Sequence, residues 1–471
     1  MQNNKQFDII NDFLISANTE ENPFISTDKI LEWLRYRNSN VNVNIQQIPF
    51  SEMADWYLDK NTGNIVHKNN KFFKIEGIDV KTNYGKINEW QQPIINQPEI
   101  GILGIITKKI NGILYFLMQA KIEPGNINFV QLSPTLQATK SNYTQAHSGK
   151  KPEYLEYFLR NNKKVLVDQL QSEQGTRFLK KRNRNIIIEV NEEIPVYEDF
   201  CWMTVGQIKK LMTYNNVINM DTRSVISTIP FNLINKNINN DNKDKLIEIT
   251  NSNSMFLSMI HNKNTINTID EILQWLTDIK VKYELQVKCI ALNKVKWINN
   301  NHTIYNDNFS ILAANIQIEN REVKTWNQPL IKSSREGIIA FLVKKIEGIY
   351  YFLVQGVIEP GNFDIVEMGP TVQCIPNIYL NSSENKWPFF LKDITDAKKE
   401  NILYSSYQSE EGGRFYREQN KNMIIKVGDD FSIKVPSNYR WLTLGQLNYF
   451  LKYNNLINIQ ARSLLGAIKF V

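Results

Sequence analysis

The sequence has few of the residues that build disulfide frameworks, metal sites or membrane anchors. Its 471 residues include three cysteines, Cys201, Cys289 and Cys374, which lie far apart without metal-ligand spacing. This pattern is typical of a protein from a reducing compartment. The start, MQNNKQFDII, has no apolar signal core, and no apolar run approaches the ~18 residues of a membrane span. We therefore expect a cytoplasmic protein with no membrane partner.

Sequence motifs for the common cofactors are also missing. There is no GxxxxGK[ST] phosphate loop and no GxGxxG dinucleotide fingerprint. There is no nucleophile elbow for Ser/His/Asp chemistry, and no His/Cys/Asp/Glu cluster with metal-ligand spacing. These absences indicate catalysis without a metal, a nicotinamide or a covalent serine, and we expect no cofactor.

Charge gives little information about partners. The net charge is +7, from 55 basic and 48 acidic residues that are mostly dispersed. One basic cluster, Lys180-Lys181-Arg182 with Arg184, is either a solvated turn or a site of phosphate attraction. Nothing resembles a nucleic-acid-binding module, so we expect no nucleic-acid partner.

The sequence does contain a long internal duplication. Residues 112–137 read GILYFLMQAKIEPGNINFVQLSPTLQ, and residues 348–373 read GIYYFLVQGVIEPGNFDIVEMGPTVQ. Each copy predicts a buried strand, a turn at Glu-Pro-Gly-Asn, a second strand and then Pro-Thr-x-Gln. Core packing does not require the recurrence of Glu, Asn, Thr and Gln, so we expect these side chains to face a ligand.

Further matched motifs extend the duplication over nearly the whole chain. They are Trp-x-Gln-Pro at 90–93 and 326–329, SEQGTRF at 172–178 with SEEGGRF at 409–415, and Trp-x-Thr-x-Gly-Gln at 202–207 and 441–446. We predict an α+β chain of two tandem domains, residues 1–235 and 246–471, joined by an Asn/Lys-rich linker at 236–245.

Local signals place turns and helix starts within each repeat. The pairs Asn111-Gly112 and Glu347-Gly348 predict two-residue hairpin turns between apolar strands. Thr204 and Thr443 are predicted N-caps of the helices that follow.

The two copies differ at positions that matter for proton transfer. The second has Glu367 where the first has Gln131, Glu411 where the first has Gln174, and Gly413 where the first has Thr176. An amide cannot accept a proton as a carboxylate can. This favours a catalytic site in the second copy, around 373–379 and 410–414. The alternative is that the carboxylates and arginines clamp the two halves together as ion pairs.

The candidate residues of this site fall into two groups. The catalytic candidates are Glu410, Glu411, Glu367 and Tyr379. The candidates for substrate binding are Trp56, Lys140, Ser141, Asn142, Tyr143, Thr144, His147, Arg177, Trp297, Gln373, Cys374, Asn377, Gly412, Gly413 and Arg414. We expect Trp56 or Trp297 to stack on a base and Arg177 to neutralise phosphate. The alternatives are core positions for the tryptophans and a solvated loop for His147.

Taken together, these motifs resemble those of the NDP-hexose 2,3-dehydratases. The resemblance rests on Trp-x-Gln-Pro, Glu-Pro-Gly-Asn, VQLSPTLQATKSNYTQAHSG, SEEGGRFY and the endings NMDTRS and NIQARS, and it covers most of both repeats. It implies two tandem Nudix-hydrolase-like domains, each a mixed sheet between helices, and a nucleotide-sugar substrate. The Nudix metal box GX5EX7REUXEEXGU is absent. We also expect a homodimer.

The resemblance implies a redox-neutral elimination. A base removes the carbon 3 hydrogen of an NDP-4-keto-6-deoxyhexose, the enolate expels the carbon 2 hydroxyl with help from an acid, and the enol tautomerises to a 3,4-diketone. Two alternatives stay open, a non-catalytic nucleotide-sugar binding protein and a divergent Nudix-type pyrophosphohydrolase.

Overall fold

The structure is a computed structural model that combines helices with antiparallel and mixed sheets. It describes residues 2–70, 72–140, 151–231, 253–260, 265–300, 302–319, 323–380 and 382–470, with side chains from residue 8 onward. The expected α+β class is confirmed.

The first repeat contains helices α1–α5 and strands β1–β12. They are α1 (Gln2–Asn18), α2 (Thr27–Ser39), β1 (Val43–Ile48), β2 (Trp56–Leu58), β3 (Ile65–His67), β4 (Lys74–Thr82), β5 (Glu89–Asn96), β6 (Gly101–Ile110), β7 (Ile113–Ile122), β8 (Val130–Ser133), β9 (Leu136–Ala138), α3 (Leu155–Leu159), β10 (Lys164–Ser172), β11 (Arg182–Glu189), β12 (Phe200–Met203), α4 (Val205–Leu211) and α5 (Met220–Ser227).

The second repeat follows the same order of elements, with one additional short helix among the described residues, α8 (Asn377–Leu380). They are α6 (Ser254–Ile260), α7 (Ile269–Lys282), β13 (Leu285–Ile290), β14 (Ile298–Asn299), β15 (Thr303–Tyr305), β16 (Phe309–Ile318), β17 (Thr325–Ser333), β18 (Gly337–Ile346), β19 (Ile349–Val357), β20 (Glu367–Gly369), β21 (Val372–Cys374), α8 (Asn377–Leu380), α9 (Leu391–Thr395), β22 (Ile402–Ser409), β23 (Gln419–Lys426), β24 (Tyr439–Thr443), α10 (Leu444–Phe450) and α11 (Ile459–Ala467).

Each repeat forms one large mixed sheet of seven strands. The first has the order β10-β11-β6-β7-β12, with β8 on β7 and β9 on β6. The second repeats this arrangement with β22-β23-β18-β19-β24, β20 and β21. In both sheets one pair is parallel, β11 with β6 and β23 with β18. The largest apolar core contains residues from both large sheets and from the helices between them, such as Phe116, Phe352 and Leu464.

Each repeat also has a small antiparallel sheet, and the two repeats exchange a strand there. Strand β13 of the second repeat pairs with β4 of the first, with Leu285 opposite Thr82. In return, β1 of the first repeat pairs with β16 of the second, with Val43 opposite Ile318. Each small sheet therefore contains backbone from both halves of the chain.

The local signals behave as predicted. Asn111 and Gly112 have φ of 49° and 83°, and Glu347 and Gly348 have φ of 50° and 83°. Positive φ at both central residues is the requirement of a two-residue hairpin turn. Thr204 and Thr443 are N-caps, and each forms a capping box with the Gln three residues later.

A reciprocal contact between glycines joins the duplicated motifs of the two repeats. The Gly125 amide donates to the Gly412 carbonyl at 2.7 Å, and the Gly361 amide donates to the Gly175 carbonyl at 2.7 Å. A Cβ on Gly125 would lie 1.6 Å from the Phe415 carbonyl oxygen. Each Glu-Pro-Gly-Asn turn therefore docks on the glycine turn of the other repeat, and we call these contacts the crossed turns.

Two buried arginines reinforce the crossed turns. The Arg223 guanidinium of α5 donates to the Ser409 carbonyl at 2.7 Å, and that of Arg462 in α11 donates to the Ser172 carbonyl at 2.5 Å. Arg223 also donates to the Ser463 hydroxyl of α11, and Arg462 donates to the Ser224 hydroxyl of α5. Because these donors are buried, loss of one would leave carbonyls unsatisfied in the core.

One expectation about the duplicated stretch needs correction. Thr135 accepts a hydrogen bond from the Ile106 amide and donates to the Leu117 carbonyl, and Thr371 makes the same two bonds in the second repeat. These threonines are fully buried links between strands. Their recurrence is therefore structural, because buried backbone groups need partners.

None of the helices among the described residues is long and apolar enough to cross a membrane.

We predict that Gly125→Ala strongly destabilises the protein. The added methyl group would overlap the Phe415 carbonyl oxygen, and overpacking of this kind costs at least about 2 kcal/mol. Gly112→Ala is the control, because nothing lies within 4 Å of its Cβ position and the cost is only the ~1 kcal/mol of positive φ. The measurement is the melting temperature of each variant. Equal melting temperatures would contradict the crossed-turn contact.

Candidate active site

A cavity of about 750 Å³ opens beside the large sheet of the first repeat. Its first-repeat wall includes residues from β6, β7 and β9, and the second repeat contributes Trp326–Gln328 with Glu411, Gly413 and Arg414. The crossed turns explain this mixture, because they carry 409–415 of the second repeat onto the first. We call this cavity the first cradle and the pseudo-equivalent region at Glu359 the second cradle.

Seven acidic residues line the first cradle, and three of them, Glu123, Asp221 and Glu411, act on one another through their charges. A further acidic residue, Glu173, lies close enough for its charge to act on both Asp221 and Glu411. Glu173 accepts a hydrogen bond from the Asn183 amide at 2.7 Å. Burial of several acidic groups in one cavity disfavours their simultaneous ionisation.

A chain of side-chain hydrogen bonds fixes the position of Glu123. The Asn219 amide donates to the Gln137 oxygen at 3.1 Å, and the Gln137 amide donates to Glu123 Oε1 at 2.7 Å. Asn219 is the N-cap of α5, so the chain links the start of this helix to the carboxylate. Glu123 Oε2 is buried and has no hydrogen-bond partner among the described residues. This oxygen can therefore accept a hydrogen bond from a ligand hydroxyl.

Gly413 leaves space between two of the carboxylates. A Cβ built at this position would lie 3.3 Å from Glu411 Oε1 and 3.7 Å from Glu123 Oε1. Burial raises the pKa of Glu411 to about 7, an effect that the Arg414 guanidinium opposes and the Glu173 carboxylate reinforces. A group with this pKa can exchange protons near neutral pH.

Basic side chains balance part of this acidity. Lys121, Lys181 and Arg414 all line the first cradle. The Lys181 ammonium donates to the Glu99 carbonyl. The Arg414 guanidinium stacks 4.2 Å above the Phe73 ring and donates to the Gln97 oxygen at 3.1 Å. These cations supply donors for phosphate or for a developing enolate oxygen.

Aromatic side chains lie at another part of the cradle. Trp56 is buried and borders the cavity. The centroid of its ring lies 4.6 Å from that of Phe73 and 5.2 Å from that of His67. Trp326 of the second repeat also lines the cavity and donates from its indole to the Gln328 oxygen at 2.9 Å. Flat apolar surfaces of this kind suit a nucleobase.

The second cradle has the same scaffold but a different set of charged side chains. The Asn458 amide donates to Gln373, and the Gln373 amide donates to Glu359 Oε1, each at 2.7 Å. However, Gln460 stands where the first cradle has Asp221, and Gln174 stands where it has Glu411. The Gln174 amide also donates to the Glu410 carboxylate. Thus two positions that carry acids in the first cradle carry amides here.

A tyrosine of the first repeat enters the second cradle. The Tyr84 hydroxyl lies 3.3 Å from the Gln355 amide nitrogen and 3.4 Å from the Gly356 carbonyl oxygen. The pseudo-equivalent residues of the first repeat, Gln119 and Ala120, line the open cavity. The Tyr84 side chain therefore fills part of the second cradle.

The structure brings four of the candidate residues to the first cradle, Trp56, Glu411, Gly413 and Arg414. Lys140 directly follows β9 and is not part of the cavity wall, although the preceding Thr139 is. The candidates Ser141, Asn142, Tyr143, Thr144 and His147 lie outside the described residues.

The other candidates lie elsewhere. Arg177 stacks 3.9 Å above Phe309, near Glu418 and Glu359 of the second cradle. Gln373 holds Glu359 there, and Gly412 serves the crossed turns. Trp297 packs 4.6 Å from Phe309, with its indole donating to the Gln91 carbonyl. Arg177, Gln373 and Trp297 thus lie outside the wall of the first cradle.

The remaining candidates for catalysis and for binding are also absent from the wall of the open cavity. Glu410 is buried and accepts from Gln174 and Asn420. Glu367 is fully buried, accepts from Ser172 at 2.7 Å, and burial raises its pKa to about 8. Cys374, Asn377 and Tyr379 lie on β21 and α8 of the second repeat.

The two groups of candidates leave out many of the residues that line the first cradle, among them Lys121, Glu123, Lys181, Asp221 and Trp326. Asp221 carries the same signal that selected Glu411, because NMDTRS aligns with NIQARS and places an acid opposite an amide. Among the described residues, no group of three or more His, Cys, Asp or Glu side chains has an arrangement that could hold a metal ion.

Comparison with known proteins gives the family. The model of a family described as NDP-hexose 2,3-dehydratase matches residues 27–229 and 269–468. The chain belongs to the NDP-hexose 2,3-dehydratase family. The two matched segments correspond to the two repeats, and the prediction of this family and of its enzyme class is confirmed.

Two curated relatives support the assignment to the NDP-hexose 2,3-dehydratases. A dTDP-4-dehydro-6-deoxy-alpha-D-glucopyranose 2,3-dehydratase of Saccharopolyspora spinosa is 44% identical over 97% of this chain and 94% of its own length. One of the same description from Amycolatopsis orientalis is 38% identical over 96% and 92%. A crystal structure of C. elegans Ap4A hydrolase aligns with 26% of this chain and 88% of its own, at 13% identity and a TM-score of 0.17.

We predict that Gly413→Thr weakens substrate binding by at least about tenfold, which is ~1.4 kcal/mol. The side chain would occupy the space between Glu411 and Glu123, while folding should persist because the equivalent position already holds Thr176. The reciprocal variant Thr176→Gly is the control, with unchanged affinity expected. Calorimetric titration with a nucleoside diphosphate sugar provides the measurement. Equal affinities for Gly413→Thr and the unaltered chain would place the ligand elsewhere.

Proposed function

We propose that this chain removes water across carbons 2 and 3 of an NDP-4-keto-6-deoxyhexose, with dTDP-4-dehydro-6-deoxyglucose as the substrate. The product is an NDP-3,4-diketo-2,6-dideoxyhexose. The family and the names of the two relatives support this substrate class. The observation that carries the proposal is an open cavity whose acids, Glu411 and Asp221, are replaced by amides at the pseudo-equivalent positions.

We assign the reaction to the first cradle and the role of base to Glu411. Its carboxylate borders the cavity beside Gly413, and we place the sugar ring there, next to Glu411 and Glu123. The substrate ketone acidifies the carbon 3 hydrogen, so a carboxylate with pKa near 7 is basic enough to remove it. The enolate oxygen that forms needs hydrogen-bond donors, and Lys121 and Arg414 line the same cavity.

For the nucleotide, we propose that the base packs against Trp56 and that Arg414 contacts the phosphates. Arg414 and Arg177 occupy pseudo-equivalent positions, each stacked on a phenylalanine of a small sheet. Arg414 borders the open cavity, so it takes the role that we first expected of Arg177. The binding role of Arg177 itself stays a prediction.

We further propose that each repeat is a Nudix-like domain. The support is a mixed sheet between helices that recurs in both halves of the chain. The expected domain bounds, the cytoplasmic location and the homodimer stay predictions, and analytical ultracentrifugation would test the last.

The assay uses NDP-4-keto-6-deoxyglucose and mass spectrometry in the presence of EDTA. Loss of one water supports the dehydratase. Binding without turnover would indicate a non-catalytic binding protein, and release of a nucleoside monophosphate that stops in EDTA would indicate a pyrophosphohydrolase.

We predict that Glu411→Gln lowers kcat at least about 100-fold, the lower range for general acid–base groups. The variant keeps the shape of the side chain, and Gln174 already fills the equivalent position in the other repeat. The variant should also lose the exchange of the carbon 3 hydrogen with deuterated water, which is monitored by NMR. The matched control is Glu367→Gln, which introduces the residue that the first repeat has at the equivalent position, Gln131. We expect this control to turn over at a near-normal rate.

The Glu411 carboxyl should also set the acidic limb of the pH profile. Only its ionised form accepts a proton, so kcat/KM should fall as pH decreases through about 7. If Glu411→Gln turns over normally, or if Glu367→Gln is the slow variant, the assignment of the base is wrong.

A further inference from the structure

Asp221, at the start of helix α5, is an acid in the wall of the first cradle. Elimination needs a proton donor for the departing carbon 2 hydroxyl, because hydroxide is a poor leaving group. Asp221 is 3% exposed, and its side chain lines the cavity that holds Glu411. No described residue makes a hydrogen bond to its carboxyl group. A buried acid that faces a cavity and has no hydrogen-bond partner among the described residues can form a hydrogen bond to a ligand.

The scaffold holds this carboxyl group in place. Asp221 is the second residue of α5, and the N-cap Asn219 accepts from the Thr222 amide at 2.9 Å. Asn219 also donates to Gln137, which holds Glu123. The start of the helix is thereby tied to a second wall of the cavity. Asp221 is thus positioned by a rigid element, as a proton-transfer group must be.

The charges around Asp221 favour its neutral form. The groups that act on it are Glu411, Glu173, Glu123 and Lys121. Burial raises the pKa of Asp221 well above its usual value, and the three carboxylates, foremost that of Glu411, add to the effect. They outweigh Lys121 and the helix N-terminus, both of which favour the charged form. Burial and the neighbouring carboxylates therefore favour the protonated form of Asp221, which can donate a proton.

The second repeat provides an internal comparison. It keeps the hydrogen-bonded chain from Asn458 through Gln373 to Glu359, yet it has Gln460 at the position of Asp221. Folding of this region therefore does not require a carboxyl group. The acid at this position is present in the cradle that also contains Glu411.

We propose that Asp221 is the general acid that protonates the departing carbon 2 hydroxyl. This inference rests on the proposed function. Glu411 takes the carbon 3 proton, and the C3–H electrons form an enolate with the carbon 4 ketone. The enolate electrons then return to form the C2=C3 double bond, and the C2–O bond breaks as Asp221 gives its proton to the departing hydroxyl oxygen. Water leaves. Tautomerisation then removes the proton of the 3-hydroxyl and adds one at carbon 2, and solvent exchange returns both carboxyl groups to their starting states.

The test compares two leaving groups at carbon 2. Asp221→Asn should lower kcat on the hydroxyl substrate at least about 100-fold. On the 2-deoxy-2-fluoro analogue it should stay within about threefold of the unaltered enzyme, since fluoride is a weak base that leaves without full protonation. Fluoride release is measured with an electrode and water loss by mass spectrometry. The variant should still exchange the carbon 3 hydrogen with deuterated water.

Controls separate the possible failures. Gln460→Asn makes a matched change at the pseudo-equivalent position and should leave both rates unchanged. Asp221→Gln, which copies Gln460, replaces Asp221→Asn if that variant does not fold. Normal water loss by either Asp221 variant would overturn the proposal, and so would an equal loss of rate on both substrates, which indicates a positioning role. If the unaltered chain removes no water, the proposed function itself fails.

Discussion

The crossed turns are the constraint on which the rest of the molecule depends. Gly125 and Gly361 must each approach a carbonyl of the opposite repeat so closely that no side chain fits. This approach carries residues 409–415 to the first cradle and residues 172–178 to the second. The buried arginines and the exchanged strands β1 and β13 fix the same arrangement at two further places. Neither cradle is complete without residues from both repeats.

Duplication explains how the two cradles came to differ. The hydrogen bonds that hold Glu123 and Glu359 are the same in both repeats, so the scaffold constrains both equally. The proton-transfer positions are not part of that scaffold, and they carry acids in one cradle and amides in the other. Burial of several carboxyl groups in one cavity is costly for stability. Amides in the second cradle relieve this cost where, in our proposal, no reaction takes place.

Much of the local structure could be predicted from the sequence because it depends on neighbours along the chain. The hairpin at Asn111-Gly112 and the caps at Thr204 and Thr443 follow from backbone conformation and from donors within a few residues. The strand exchange between the repeats could not be predicted this way. The pattern of β13 fits either small sheet equally well, and only the packing of the whole chain decides between them.

The candidate site, too, could be predicted from the sequence only in part. Comparison of the copies selected Glu411, because an acid opposite an amide is visible in one sequence. From the same comparison we expected the spatial neighbours of Glu411 to lie in the second copy, around Gln373–Tyr379. The structure instead places Glu411 against the first repeat, since the turn that carries it crosses over. Asp221 bore the same signal, but its sequence neighbours gave no reason to group it with Glu411, 190 positions away.

The most direct test of a site shared between repeats is a crystal structure with a dTDP-hexose bound. The account predicts the sugar above Gly413 between Glu123 and Glu411, with Asp221 in reach of the carbon 2 substituent and Arg414 near the phosphates. A ligand found only in the second cradle, beside Glu359 and Arg177, would contradict it.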